Sequence, residues 1–223
     1  MNLHTQRIKR VLSDDRPMRK IRSFARRSGR MTESQKSGLA DLWQYYGIEY
    51  KNEILELNSV FKRDVTMNIE IGFGMGENIL SVAQNNPNEN FIGIEVHQPA
   101  IGNILNKIHE LKLSNLKVFN HDAVEVFNHQ ITNESLHCIS VFFPDPWHKS
   151  NHHKRRLITQ KFVALISQKL AKNGHVYLAT DWQHYANQML NVFTENNDFE
   201  NLSPTNTFCK RIDFRPLTKF EKR

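Results

Sequence analysis

The chain has 223 residues, 39% hydrophobic and 24% charged, which is enough apolar content for one packed domain and too much for wholesale disorder. The formal net charge is +7, and the two cysteines, Cys138 and Cys209, make neither a disulfide framework nor a metal-binding spacing. No stretch approaches the roughly 18 consecutive apolar residues of a membrane span, and the basic opening MNLHTQRIKR has no apolar segment behind it, so a soluble, cytoplasmic protein is expected and a membrane or secreted scaffold is excluded.

The charge is concentrated at one end. Residues 1–30 hold ten Lys or Arg against Asp14 and Asp15, a net +8, whereas the remainder carries 20 basic against 21 acidic side chains. Residues 1–32 therefore read as a basic, flexible arm suited to a polyanion through counterion release. A solubilising tail is a second reading, and a transit peptide a third, which the two acids argue against. From residue 33 to 223 the pattern is that of one folded domain.

Leu39, Leu42, Trp43 and Tyr46 recur at helical spacing over residues 33–46, and Gly47 closes that segment. Strands are then predicted at Thr66 to Gly72, Asn90 to Val96, Leu116 to Asn120, Leu136 to Phe143 and Gly174 to Ala179. Helices separate them, from Glu77 to about Asn85, from Pro99 to Lys112, from Asp122 onward, and over 155–171, with a last one at 183–196. This alternation predicts an α/β fold of the Rossmann-like, doubly wound type with a mostly parallel sheet. After Asn197 the rhythm breaks, and Phe199 to Leu202 with Phe208 to Phe214 suggest a terminal antiparallel strand pair.

In such a sheet the ligand lies outside the carboxyl ends of the strands. The first strand ends in Glu70-Ile71-Gly72-Phe73-Gly74-Met75-Gly76-Glu77, and Glu95, Asp122, Asp145 and Asp181 each follow a later strand. Glu77 stands where a dinucleotide fingerprint needs its third glycine, and its charge would oppose a pyrophosphate at the helix start. The loop lacks the Gly-Lys-Ser/Thr ending of a P-loop as well. A G-x-G-x-G loop preceded by an acid suits S-adenosylmethionine instead. Gly72, Gly74 and Gly76 admit close backbone approach, and Glu70 lies on the amino-acid side. Glu95, 19 residues after Gly76, can accept the ribose hydroxyls, and Asp122 can receive the adenine amine.

The fourth strand runs into Phe143-Pro144-Asp145-Pro146-Trp147-His148-Lys149, where two prolines fix the backbone around an acid and Trp147 offers a stacking face. Beyond it lies Lys149 to Arg156, KSNHHKRR, a basic stretch. The histidines fit no zinc spacing, so no metal site is read.

Taken together, these motifs resemble the bacterial tRNA (guanine-N7-)-methyltransferases. The resemblance covers nearly the whole chain. It rests on Arg22-Ser23-Phe24 with Arg27, Gly29 and Arg30, on the Glu70–Gly76 loop, and on Gly93-Ile94-Glu95. Phe143 to Trp147 with Lys154-Arg155-Arg156, then Thr180-Asp181-Trp182, and Arg215-Pro216-Leu217-Thr218-Lys219-Phe220-Glu221 complete it. It implies methyl transfer from S-adenosylmethionine to N7 of a guanosine in the tRNA variable loop, position 46 in tRNA numbering, with S-adenosylhomocysteine as product. Carried onto this sequence, it implies that Glu70, Glu95, Asp122 and Asp145 contact the cofactor, with Asp145 catalytic. Lys149, Asp181, Thr218, Lys219, Phe220 and Glu221 would bind substrate, and Asn151, His152, His153, Lys154, Arg155 and Arg156 would touch RNA.

Either Asp145 or Asp181 can accept guanine N1–H and N2–H, which adenine does not offer. Two rival readings remain at this level: a methyltransferase for a small molecule or protein, and a non-catalytic RNA-binding partner that keeps the fold. The sequence does not separate monomer from homodimer. Guanine N7 carries a lone pair and no proton, so alignment and electrostatics matter here and a general base does not. The rate of methyl transfer is accordingly expected to stay level from about pH 6 to 9. A limb inside that range that moves in Asp145→Asn would overturn a purely electrostatic and positioning role for this carboxylate.

Overall fold

The computed structural model describes residues 21–24, 29–211 and 216. The chain enters through helix α1 (Glu33–Tyr46), a two-residue strand β1 (Gly47–Ile48) and a short helix α2 (Leu57–Phe61). It then alternates through β2 (Met67–Ile71), α3 (Glu77–Asn85), β3 (Asn90–Ile94), α4 (Gln98–Glu110), β4 (Leu116–Phe119), α5 (Ala123–His129) and β5 (Leu136–Phe142). A 3-10 turn at Ser150–Arg155 leads to α6 (Gln160–Lys169), β6 (Leu170–Ala179) and α7 (Gln183–Thr194). The strands form one sheet in the order β1-β4-β3-β2-β5-β6, and every pairing is parallel.

Strand periodicity sorts the core into two faces. Met67, Ile69 and Ile71 of β2 join Ile92, Ile94 and Phe119 on one side, packed against Phe127 of α5, Val163 and Ile166 of α6, and Tyr185 and Met189 of α7. Phe91, Leu116 and Val118 point the other way, onto Ile79 of α3, Ile101, Ile104, Leu105 and Ile108 of α4, and the apolar stripe of α1. Both faces are covered, which is why the central strands are buried at every position.

Caps fix the helix ends. Thr32 Oγ1 accepts from the Gln35 amide at 3.3 Å and Gln35 Oε1 accepts from the Thr32 amide at 2.9 Å, a reciprocal box that starts α1. Asp122 caps α5 through the Val124 amide, 3.0 Å, and Thr159 caps α6 through Phe162. Helices α1 and α4 cross where glycines allow backbone contact: a Cβ on Gly102 would lie 2.1 Å from the Gln35 carbonyl oxygen. Asn106 also donates to the Ser34 carbonyl at 2.8 Å across the same crossing.

The structure differs from the sequence expectation in four places. Strand β1 extends the sheet beyond β4, pairing Gly47 with Val118. The helix expected over 155–171 starts only at Gln160, because Thr159 caps it there, and the 3-10 turn occupies the preceding basic stretch. Strand β6 begins at Leu170, which pairs with Leu136 across an irregularity before the regular register at Cys138 and His175. No strand follows α7 among the described residues, and 212–214 of the expected terminal pair lie outside them. Residues 201–207 are held by local side-chain bonds instead: Asn201 to the Thr207 carbonyl at 3.1 Å, the Ser203 amide to Asn201 Oδ1 at 2.9 Å, and Ser203 with Thr205 at 3.2 Å. Asn and Ser/Thr bonds of this kind compete with strand pairing. No helix among the described residues is long and apolar enough to cross a membrane.

The glycine crossing sets a stability test. Gly102→Ala forces α1 away from α4, and overpacking of this type costs about 1–3 kcal/mol. The urea midpoint is expected to fall with an unchanged slope.

Candidate active site

Because the strands are parallel, the carboxyl ends of β2, β3, β4, β5 and β6 arrive at one edge of the sheet. That edge receives the Gly72–Gly76 loop, Glu95, Asp122, the Phe143–Lys149 loop and Asp181. The central strand β2 lies between β3 and β5, with Ile71 opposite Ile94 on one side and Val141 on the other. The glycine loop therefore opens where the winding direction reverses, the place where such sheets form a crevice.

The loop makes its turn by left-handed backbone: φ is +72° at Gly72, +55° at Gly74 and +86° at Gly76. Gly72 and Gly74 have open space where a Cβ would project, while a Cβ on Gly76 would meet Ile104 Cδ1 at 2.8 Å. Two glycines thus line an open cradle, and the third secures the start of α3 against α4. Glu95 closes the cradle on the β3 side. Its Oε2 accepts from the Gly74 amide at 3.1 Å, and its Oε1 accepts from the Val96 and His97 amides at 2.7 and 3.0 Å. Three backbone donors hold this side chain in one orientation.

Glu70, only 6% exposed, accepts from Asn78 Nδ2 at 2.6 Å, which ties β2 to the first turn of α3 beneath the loop. Sequence reasoning misses Asn78; its signal is a polar side chain on an otherwise apolar helix face, eight residues after a buried acid. Asp122 sits half-buried at the start of α5, and the Asn120 side chain donates to the Glu95 carbonyl at 3.0 Å, locking the ends of β3 and β4 together.

Strand β5 runs into the second half of the site. Phe143 and Trp147 both adopt left-handed backbone, with φ of +52° and +47°, on either side of Pro144-Asp145-Pro146. That conformation costs a bulky residue roughly 1–2 kcal/mol, so the turn that presents Asp145 stores strain. The Phe143 amide donates to the Ala179 carbonyl at 2.8 Å, anchoring the turn to β6. The Asp145 side chain is exposed.

Trp147 does not stand free as a stacking face. Its Nε1 donates to the Ser23 carbonyl at 3.1 Å, and the Arg155 guanidinium lies 3.9 Å from its ring centre. Arg155 donates in turn to the carbonyls of Arg22 and Phe24, both at 3.2 Å, so residues 22–24 are docked on this loop. The open aromatic surface is Trp182 instead, 39% exposed, with His148 edge-on at 4.3 Å. The Thr180-Asp181-Trp182 run contains this signal, although the sequence reading gives a role only to its acid.

Lys149, Asn151, Lys154 and Asp181 are exposed, and His152, His153 and Arg155 are half-buried. Arg156, the last residue of the basic stretch, is only 2% exposed and occupies an interior position. Thr218, Lys219, Phe220 and Glu221 lie outside the described residues. Among the described residues no group of three or more His, Cys, Asp or Glu side chains is placed to hold a metal ion.

The chain is similar to known proteins over most of its length. A family described as putative methyltransferase matches residues 64–223. The tRNA (guanine-N(7)-)-methyltransferase of Aeromonas hydrophila subsp. hydrophila is 50% identical over 210 residues, 94% of this chain and 89% of that protein. Proteins of the same name from Cronobacter sakazakii and Vibrio parahaemolyticus are 48% and 46% identical, covering 93% and 94% of this chain and 87% and 88% of theirs. This chain belongs to the tRNA (guanine-N(7)-)-methyltransferase family. It is a methyltransferase, and S-adenosylmethionine is its methyl donor.

The cradle suits that donor. S-adenosylmethionine has no phosphate, so the acid Glu77 at the head of α3 is no obstacle, and an anionic rim favours its ammonium and sulfonium. The two kinds of loop glycine should separate in this methyltransferase. Gly74→Ala puts a methyl group into the cradle and is expected to weaken S-adenosylhomocysteine binding by at least about tenfold, or 1.4 kcal/mol. Gly76→Ala drives into Ile104 and is expected to lower thermal stability more than affinity. Calorimetric titration and thermal unfolding of the two variants check both.

Proposed function

We propose that this enzyme transfers the methyl group of S-adenosylmethionine to N7 of guanosine in tRNA, at position 46 of the variable loop, leaving 7-methylguanosine and S-adenosylhomocysteine. Relatives of that name, aligned over most of both chains, support the reaction. The observation that carries the reading is the strained Pro144-Asp145-Pro146 turn, which enters the edge next to the Gly72–Gly74 cradle because β5 pairs with β2. When bound, the cofactor supplies an electrophilic methyl group on a sulfonium.

The chain's own residues then have divided tasks. The Gly72 and Gly74 backbone and the Glu70, Glu95 and Asp122 side chains bind and orient the cofactor. Asp145 is exposed on a turn at the same edge, and its anion stabilises the positive charge that grows on guanine as N7 is alkylated. Asp145 or Asp181 accepts from guanine N1–H and N2–H, which selects guanine over adenine. Trp182, exposed beside Asp181, offers a stacking surface for a base taken out of its loop. Lys149 and the stretch Thr218 to Glu221 hold the nucleotide, and Asn151, His152, His153, Lys154 and Arg155 with the basic arm meet the RNA backbone.

Labelled-methyl transfer to unmodified tRNA, followed by borohydride–aniline cleavage, tests atom and position together. A single cut in the variable loop is expected. Incorporation without a cut would discard N7, and a cut elsewhere would discard position 46. The arm has its own test: Arg16, Arg19 and Lys20 changed together to Gln should weaken tRNA binding for all tRNA sequences alike. The slope of log affinity against log salt should drop by about 0.7–0.9 for each phosphate no longer neutralised. An unchanged slope would remove the arm from the RNA interface.

A further inference from the structure

We propose that Arg156 is a positioning residue for methyl transfer: it braces the Asp145 turn from inside the protein through the Pro146 carbonyl, and it does not contact RNA. The proposal rests on the methyl-transfer reading of the Asp145 turn given above.

Arg156 carries five N–H donors in a rigid planar fork. Its Nε donates to the Pro146 carbonyl at 2.8 Å. Its Nη1 donates to His184 Nδ1 at 2.9 Å and to Gln188 Oε1 at 2.6 Å, while the guanidinium carbon lies 4.7 Å from the centre of the Tyr185 ring. These side chains occupy positions 184, 185 and 188, one face of α7, so the arginine is held by a helix and itself holds a loop. The frame is tightened by the residue two further along. The Ile158 amide donates to Tyr185 Oη at 3.0 Å, and the Ile158 carbonyl accepts from Gln188 Nε2 at 3.0 Å.

The chemistry of this arrangement is unusual for a merely structural arginine. Every acceptor around it is neutral, and no carboxylate among the described residues pairs with it. A buried cation without a counter-ion works against folding. The task it performs lies at Pro146. Holding that carbonyl fixes the peptide plane between Pro146 and Trp147, directly before the left-handed Trp147, and so sets the exit angle of the turn that carries Asp145. The start of the turn is fixed separately by the Phe143 amide on Ala179. Arg155, one position earlier, faces the other way and docks residues 22–24 on the Trp147 ring. Consecutive arginines therefore serve opposite sides of one loop.

The test compares Arg156→Met, which keeps the bulk and removes the donors, with Arg156→Lys, which keeps the charge but loses the fork. Under single-turnover conditions with tRNA and S-adenosylmethionine saturating, Arg156→Met is expected to slow methyl transfer about 30- to 100-fold, the scale of a small misplacement of reacting groups. Arg156→Lys is expected to recover part of that loss. Affinity for tRNA, its salt dependence and affinity for S-adenosylhomocysteine should each stay within about threefold, since Arg156 neutralises no phosphate. Weakened tRNA binding with a shallower salt slope and a normal saturated rate would overturn the proposal in favour of an RNA contact.

If Arg156→Met does not fold, His184→Leu removes one acceptor from the exposed end of the network and should lower the saturated rate with tRNA affinity unchanged. An unchanged rate in that variant would count against the brace. A readout independent of turnover separates this proposal from the function it rests on. With 5-fluorotryptophan incorporated, the fluorine signal assigned to Trp147 should shift or broaden in Arg156→Lys, while that of Trp43 stays in place. An unmoved Trp147 signal would overturn the brace whatever the activity, whereas an inactive wild-type enzyme would overturn only the function.

Discussion

Everything at the functional edge follows from the direction of the strands. All five pairings in the sheet are parallel, so each strand must be left by a crossover, and each carboxyl end delivers its loop to the same side. After laying β1 at the edge, the chain enters the middle at β2, winds outward through β3 to β4 beside β1, and then returns to the opposite flank for β5 and β6. The reversal leaves the β2 loop without a crossover on top of it. Glycines at 72 and 74 keep that opening clear, and a polar residue lies next to it on either side because β3 and β5 are its neighbours. A glycine loop, an acid that limits it and a strained turn with a second acid are brought together by topology before any side-chain contact is considered.

What topology brings together, hydrogen bonds make rigid. Glu95 reaches the edge as a flexible side chain and is fixed there by three amides, one of them from the glycine loop it faces. Glu70 is pinned by Asn78 and the ends of β3 and β4 by Asn120. Around Asp145 the same result is reached by strain: two left-handed aromatic residues and two prolines leave the turn few alternatives. A reaction that requires in-line approach of two bound molecules gains most from groups that do not have to reorganise. The rigid parts of this molecule lie at the carboxyl edge of the sheet, around Glu95 and the Asp145 turn, and Lys149 and Lys154 stand exposed beyond that turn.

The sequence shows this arrangement unevenly, for physical reasons. Strands buried on both faces read as short apolar runs, and the acids after them read as turn residues, so Glu95, Asp122, Asp145 and Asp181 can be assigned to one edge from order alone. Helix α3 is legible to the residue because a glycine loop starts it. Strand β1 is not, since two residues paired to β4 carry no periodicity. The start of α6 is lost among basic residues with tolerable helix propensity, although Thr159 with its capping hydroxyl is the available sign. Segment 199–211 has aromatic residues that suit strands, but Asn201 and Ser203 satisfy the backbone locally, a competition that propensity does not rank.

Charge is the property the sequence represents least faithfully. Lys154, Arg155 and Arg156 are three adjacent cations, and a linear reading gives them one role. Their surroundings give them three: an exposed cation at 154, a guanidinium on an indole at 155, and an interior brace at 156. The 3-10 turn is responsible, because with about three residues per turn and its end at Arg155 it points successive side chains in different directions. The carbonyls of Arg22 and Phe24 accept from Arg155, and Pro146, His184 and Gln188 accept from Nε and Nη1 of Arg156. A phosphate competing for Arg155 would have to displace the arm from Trp147, whereas one competing for Arg156 would have to open the core. Only the first exchange is compatible with a folded enzyme, so RNA binding can act on the arm side of the Asp145 loop while its inner side stays fixed.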